Sequence, residues 1–178
     1  MLKTLLQRIR RNHALEHATI NLLSAQHPQA QIVGLSGPWG FVLYTTLTTD
    51  EVVPAIMEAL KRLKRGEHHL GIHERCGTNL IVTATLTMLA TLIGYRRPKE
   101  DEGLLQRLEP IPYMILLNVA ALLVSQPLRS WVQANLTTDA DLSDTEVSAI
   151  LTTPAQPNEM HRIRVRTRPS QQSAPATE

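Results

Sequence analysis

The chain has a single cysteine, Cys76, among its 178 residues. An internal disulfide is therefore excluded, and nothing argues for an oxidising compartment. Aromatic residues are scarce, with one Phe, three Tyr and two Trp. No basic stripe interleaved with aromatics is present, so no nucleic-acid partner is expected. An excess of one charge is lacking too, with 18 Lys and Arg against 16 Asp and Glu. The opening MLKTLLQRIRRN lacks the unbroken apolar stretch of a secretory signal, because basic residues interrupt it every few positions. Phosphate-cradling glycine loops and a G-x-S-x-G elbow are also missing. What the chain does contain is strongly segregated.

Residues 79 to 95, NLIVTATLTMLATLIGY, carry no charge, and neither do residues 111 to 128, IPYMILLNVAALLVSQPL. Each is close to the ~18 residues at the lower edge of what spans ~30 Å of hydrocarbon. Between them lies the charged connector RRPKEDEGLLQRLEP. Tyr95, Tyr113 and Trp131 sit at segment ends, where amphipathic rings favour the headgroup zone. Helices apolar all round are difficult for so short a soluble chain to cover, so the pair is expected to be a transmembrane hairpin in the lipid bilayer. Asn118 in the second segment should face the first. Six basic residues flank the outer ends (Lys61, Arg62, Lys64, Arg65, Arg75, Arg129) and four lie in the connector (Arg96, Arg97, Lys99, Arg107). The bias places both termini in the cytoplasm and the hairpin in the plasma (inner) membrane.

The fold class expected is α+β: a small αββαβ unit at residues 1–77, a transmembrane hairpin at 78–131, a short β segment at 132–167 and a disordered tail at 168–178. A first helix runs from about Leu2 to Ser24. QIVGL and FVLYTTL read as strands around the turn SGPWG. A second helix starts with Asp50 as N-cap and reaches about Arg65, with Gly66 as its stop. HLGIH, residues 69 to 73, reads as a short closing strand. EVSAILT and HRIRVRT alternate like two paired strands. The run DADLSD offers Asp139, Asp141 and Ser143 at alternate positions, but Asp144 and Ile150 stand where a calcium loop needs glycine and glutamate. It reads as a solvated turn.

The histidines carry the chemistry. In RNHALEHA, His13 and His17 lie one helical turn apart, with Glu16 between them. On a wheel, Leu2, Leu5, Leu6, Ile9, Ile20 and Leu23 form one apolar face, and the three polar residues fall in its middle. A buried polar group is costly unless paired or coordinated. Either a metal ion or a Glu–His hydrogen-bonded cluster would compensate. A second concentration is EHHLGIHERCGTN. As a strand, it would hold His69 and His73 ~13 Å apart, too far to share an ion. His73 and Cys76 form H-x-x-C, half of a tetrahedral zinc site whose other half is His13 and His17. His68 reads as solvated, and His27 and His161 as surface residues.

H-x-x-E-H resembles the inverzincin peptidases. The resemblance implies His13 and His17 as zinc ligands and Glu16 as catalytic base. The third ligand of those enzymes, a downstream glutamate, would fall here in residues 79–95, which contain none. A wider resemblance rests on NHALEHATINLL, the S-G-x-x-G-F turn from Ser36 to Phe41, EALKRLKRGE, HERCGTN and QPLRSWVQANLTTD. Together these resemble an uncharacterised bacterial family of two-pass membrane proteins with a domain of unknown function, across most of residues 12 to 140. It implies the same layout and no established activity. The reading that follows is a structural or regulatory membrane protein with a polar, zinc-capable cluster of His13, His17, His73 and Cys76 at the membrane surface. The alternative is a minimal membrane zinc hydrolase or peptidase using Glu16.

Overall fold

The structure, a computed structural model, describes residues 2–95, 103–153 and 160–170. It is mixed α and β, and it divides into two compact units, Met1–His73 with Ala134–Glu178, and Glu74–Gln133.

The first unit is a sheet covered on one face by helices α1 (Leu2–Gln26) and α2 (Thr49–Lys64). Its four antiparallel strands are β1 (Ile32–Gly37), β2 (Gly40–Thr45), β3 (Thr145–Thr153) and β4 (His161–Pro169), in the order β1-β2-β4-β3. Alternation decides which side chains go inward. Phe41 opposes Val165 and Leu43 opposes Ile163, and all four are buried. They meet Leu15, Leu23, Val52, Ile56 and Leu63 from the helices. Pro38 and Trp39 form a two-residue loop between the paired Gly37 and Gly40. Gly40 has φ of 137°, and a Cβ there would stand 1.9 Å from the Val165 carbonyl, so no other residue fits.

Three expectations are corrected. HLGIH is not a strand: His68–Gly71 form a 3-10 turn, and the unit is not closed as αββαβ. The ladder position beside β2 is filled by β4, whose nine residues alternate in register. The carbonyls of Leu70, Gly71 and Ile72 are bonded to α1 side chains instead. The N-cap of α2 is Thr48 rather than Asp50. Starting there lets the Glu51 carboxylate accept from the Thr48 N–H (2.8 Å) and hydroxyl (2.7 Å), a capping-box arrangement. Finally, Leu2, Leu5 and Leu6 are exposed, because the buried stretch of α1 begins only at Asn12. The helix overhangs the residues that cover it. The strands at EVSAILT and HRIRVRT pair as expected. Of the expected tail, Arg168 and Pro169 belong to β4, and residues 171–178 lie outside the described residues.

The second unit pairs α3 (Gly77–Gly94) with α5 (Ile111–Val132), with the short α4 (Leu104–Leu108) before α5. A π-helical turn, Gln133–Thr137, follows α5. Residues 96–102 of the connector lie outside the described residues. Asn118 faces α3, as expected, and its Nδ2 donates to Thr91 Oγ1 at 3.0 Å. Gln133 donates to Asn79 at 2.6 Å, both buried. Gly94 admits Met114 and Leu117 of α5 against its backbone. Leucines, isoleucines and valines point outward from both helices and are exposed. Gly77–Gly94 and the helical stretch Leu105–Thr137 are long and apolar enough to cross a membrane.

Candidate metal centre

Helix α1 places a row of polar side chains on its buried side. Asn12 bridges two elements: its Nδ2 donates to the Gly37 carbonyl (2.7 Å), and its Oδ1 accepts from the Thr167 hydroxyl (2.6 Å). His13, His17 and Asn21 follow at intervals of one turn, so they stack along one stripe. Glu16, 5 % exposed, points to β1, where Ser36 hydrogen-bonds its carboxylate. Gly34 beside it leaves the necessary room, since a Cβ there would meet Glu16 Oε1 at 2.1 Å.

Three imidazoles of the first unit lie side by side. Ring centroids are 4.2 Å apart for His13 and His17 and 5.8 Å for His17 and His73. Each ring has its Nδ1 against an oxygen: Thr137 carbonyl for His13 (3.0 Å), Gly71 carbonyl for His17 (2.8 Å) and Asn21 Oδ1 for His73 (2.7 Å). A backbone carbonyl only accepts, so Nδ1 of His13 and of His17 carries the proton. Asn21 is oriented by donating its Nδ2 to the carbonyls of Leu70 (3.0 Å) and Ile72 (2.8 Å), so its Oδ1 must accept from His73. With Nδ1 donating, a neutral ring at each position would carry its lone pair on Nε2. Fixing the far ring nitrogen with a carbonyl or amide oxygen is how proteins orient a histidine ligand.

The structure therefore brings together His13, His17 and His73, the last across 56 residues from His17. His17 is the most deeply buried, 1 % exposed. Cys76, also buried, belongs to the second unit, where it precedes α3 as its N-cap. His68 and His69 are exposed, and His27 sits 3.8 Å from Glu51 on the surface. DADLSD is a turn: Asp139 and Asp141 accept from the N–H groups of Asp141 (3.3 Å) and Ser143 (3.1 Å), and Arg11 pairs with Asp139 (3.4 Å) and Asp144 (2.6 Å). Ser143, through hydroxyl and N–H, holds the Asp141 carboxyl below the usual range. Asn12 and Asn21 were not singled out from sequence. The available signal was spacing, since Asn21 repeats the step from His13 to His17 on a face otherwise apolar.

Residues 8–150 match the family described as Domain of unknown function (DUF6391), and the chain belongs to that family. An uncharacterised protein of Picosynechococcus sp. is 37% identical over 102 residues, covering 52% of this chain and 50% of that protein. The chain thus spans about half the length of the curated relative it matches. No solved structure matches.

Proposed function

We propose that this chain is a two-pass membrane protein, structural or regulatory rather than enzymatic, whose water-facing unit is locked by zinc where the chain enters the bilayer. His13, His17, His73 and Cys76 supply the ligands. The observation that carries the reading is the shared orientation: three neighbouring imidazoles, each held at Nδ1 by an oxygen, the way proteins orient histidine ligands. Chain connectivity keeps Cys76 within about 11 Å of His73, Cα to Cα, because only three peptide links separate them. That proximity in the chain and the chemistry of its thiol are the grounds for assigning Cys76 as the fourth ligand. Three imidazoles and a thiolate suit zinc, and four protein ligands would close the site to substrate, which favours a structural role. Glu16 is occupied with Ser36 at β1, a packing role that needs no hydrolytic chemistry.

The membrane part rests on the apolar, outward-facing side chains of α3 and α5 and on the aromatic residues at their ends. Topology adds support. Strands that precede α3 and strands that follow α5 share one sheet, which supports a hairpin with both flanking segments on one side. In this reading the chain leaves through α3 and returns through α5. The basic flanks favour the cytoplasm of the plasma (inner) membrane for that side.

The test is the metal content of the full chain, purified in detergent and read by element-resolved mass spectrometry. Stoichiometric zinc is expected, falling sharply in His17→Ala and in the milder Cys76→Ser, and unchanged in His27→Ala. A folded wild-type protein that takes up no zinc from a stoichiometric supply would leave a hydrogen-bonded polar cluster as the correct description.

A further inference from the structure

Strand β4 reads H-R-I-R-V-R-T-R-P, and its alternation sends Ile163 and Val165 inward and Arg162, Arg164, Arg166 and Arg168 outward. On that outer face Arg164 stands beside Val42 and Arg162 beside Tyr44. Arg168 reaches Glu146 at 3.5 Å. Arg162, Arg164 and Arg166 are exposed and make no ion pair among the described residues. The same side of the sheet exposes apolar surface at its β1 edge: Val33, Leu35 and, in the hairpin loop, Trp39 at 66%. Arg8 lies 5.5 Å from the Trp39 ring centroid and adds a cation at that end. Leu35, Trp39, Val42, Ser148, Arg164 and Arg166 line a shallow groove of about 500 Å³.

We propose that this outer sheet face binds the phosphate groups of anionic bilayer lipids, with Trp39 and Leu35 entering the headgroup zone. The proposal rests on the membrane reading above. A row of guanidiniums at ~6.6 Å intervals, two residues of strand apart, suits forked hydrogen bonding to successive phosphates. An exposed tryptophan and aliphatic side chains beside it suit the interface between headgroups and acyl chains. Three cations without acidic partners among the described residues define the charge of the occupant. The tether to α3 and α5 defines its source, because it holds the unit at high effective concentration near any bilayer they cross.

The test uses the full chain with Trp131→Phe, which leaves Trp39 as the sole fluorophore of its kind. The protein is placed in nanodiscs of phosphatidylcholine alone, or of phosphatidylcholine and phosphatidylglycerol at two to one. Trp39 should shift to the blue and be shielded from acrylamide in the anionic discs only. High salt should reverse the change in the unmodified face. Arg162→Gln, Arg164→Gln and Arg166→Gln combined should weaken the contact on the order of 100-fold, at roughly 5-fold per guanidinium. Equal shielding in both lipid compositions, or in the triple variant, would overturn the proposal. So would stronger shielding by polyglutamate in phosphatidylcholine discs, which would assign the face to an acidic protein. A chain that never associates with discs would refute the membrane reading and remove the tether with it. A chain recovered in discs with Trp39 unshielded would refute the lipid face alone.

Discussion

Asn21→Leu removes a side chain that makes three hydrogen bonds while keeping its approximate shape. Its Nδ2 donates to the Leu70 and Ile72 carbonyls, and its Oδ1 orients His73. A net hydrogen bond contributes ~0.5–1.5 kcal/mol, and Asn21 is half-buried, so water can replace part of the loss. The expected destabilisation is about 1–3 kcal/mol, read from denaturant midpoints in detergent. The effect on metal should be separable. Releasing His73 from its orienting partner should weaken zinc ~10–100-fold, the usual cost of losing a residue that positions a ligand. Asn21→Asp divides the two roles, since a carboxylate still accepts from His73 but donates to neither carbonyl. It should lose stability as Asn21→Leu does, and retain more zinc. Unchanged zinc affinity in Asn21→Leu, alongside the expected loss of stability, would refute His73 as a ligand. Unchanged stability would refute the placement of Asn21 itself.

Gly34→Ala drives a methyl into the Glu16 carboxylate, with its Cδ 2.5 Å away, and should cost about 1–3 kcal/mol in thermal or chemical unfolding. Glu51 is held below its ordinary pKa first by the Thr48 N–H, then by its hydroxyl, with a further contribution from His27. A depressed folded pKa gives stability that is present above the ordinary glutamate value, ~4.3, and lost as pH falls through the lowered value. Glu51→Gln should therefore flatten that part of the acid unfolding profile and leave the neutral region less stable. If α3 and α5 cross the bilayer, alkaline carbonate should leave the protein in the membrane pellet, and a tag in the 96–110 connector should react only from the side opposite both termini. Soluble recovery without detergent would contradict the hairpin.

Local patterns were legible wherever one element decided the outcome. The wheel of α1 placed His13, Glu16 and His17 on the face meant for burial, and Glu16 and His17 are indeed inside. The SGPWG turn identified β1 and β2, alternation identified β3 and β4, and Asn118 faces α3 as its polarity requires. The third strand beside β2 was not legible, because it comes from more than 100 residues downstream and a ladder leaves no local mark. HLGIH alternates as well as a real strand does. Its fate is set by competition for β2 and by the donors that α1 offers its carbonyls. The overhang of Leu2, Leu5 and Leu6 is likewise a matter of where the covering elements stop, which periodicity within α1 does not encode.

The H-x-x-E-H pattern itself divides along the helix. Residues four apart lie on one stripe, so His13 and His17 stack together, and Asn21 extends the row. Glu16 is three from His13 and one before His17, which turns it about 100° from His17. In a metallohydrolase this offset lets the carboxylate reach a water on the metal while the histidines hold it. Here the same offset sends Glu16 to β1, where Ser36 and the cleared space at Gly34 receive it. The histidines turn instead to the Thr137 and Gly71 carbonyls. One short stretch of helix thus fastens the sheet through Asn12 and Glu16, and the segments next to the apolar helices through His13, His17 and Asn21. Burial of so many polar groups is costly unless each finds a partner, and those contacts supply them. The arrangement explains the polar stripe as a fastening point between α1, the sheet and the segments around Gly71 and Thr137.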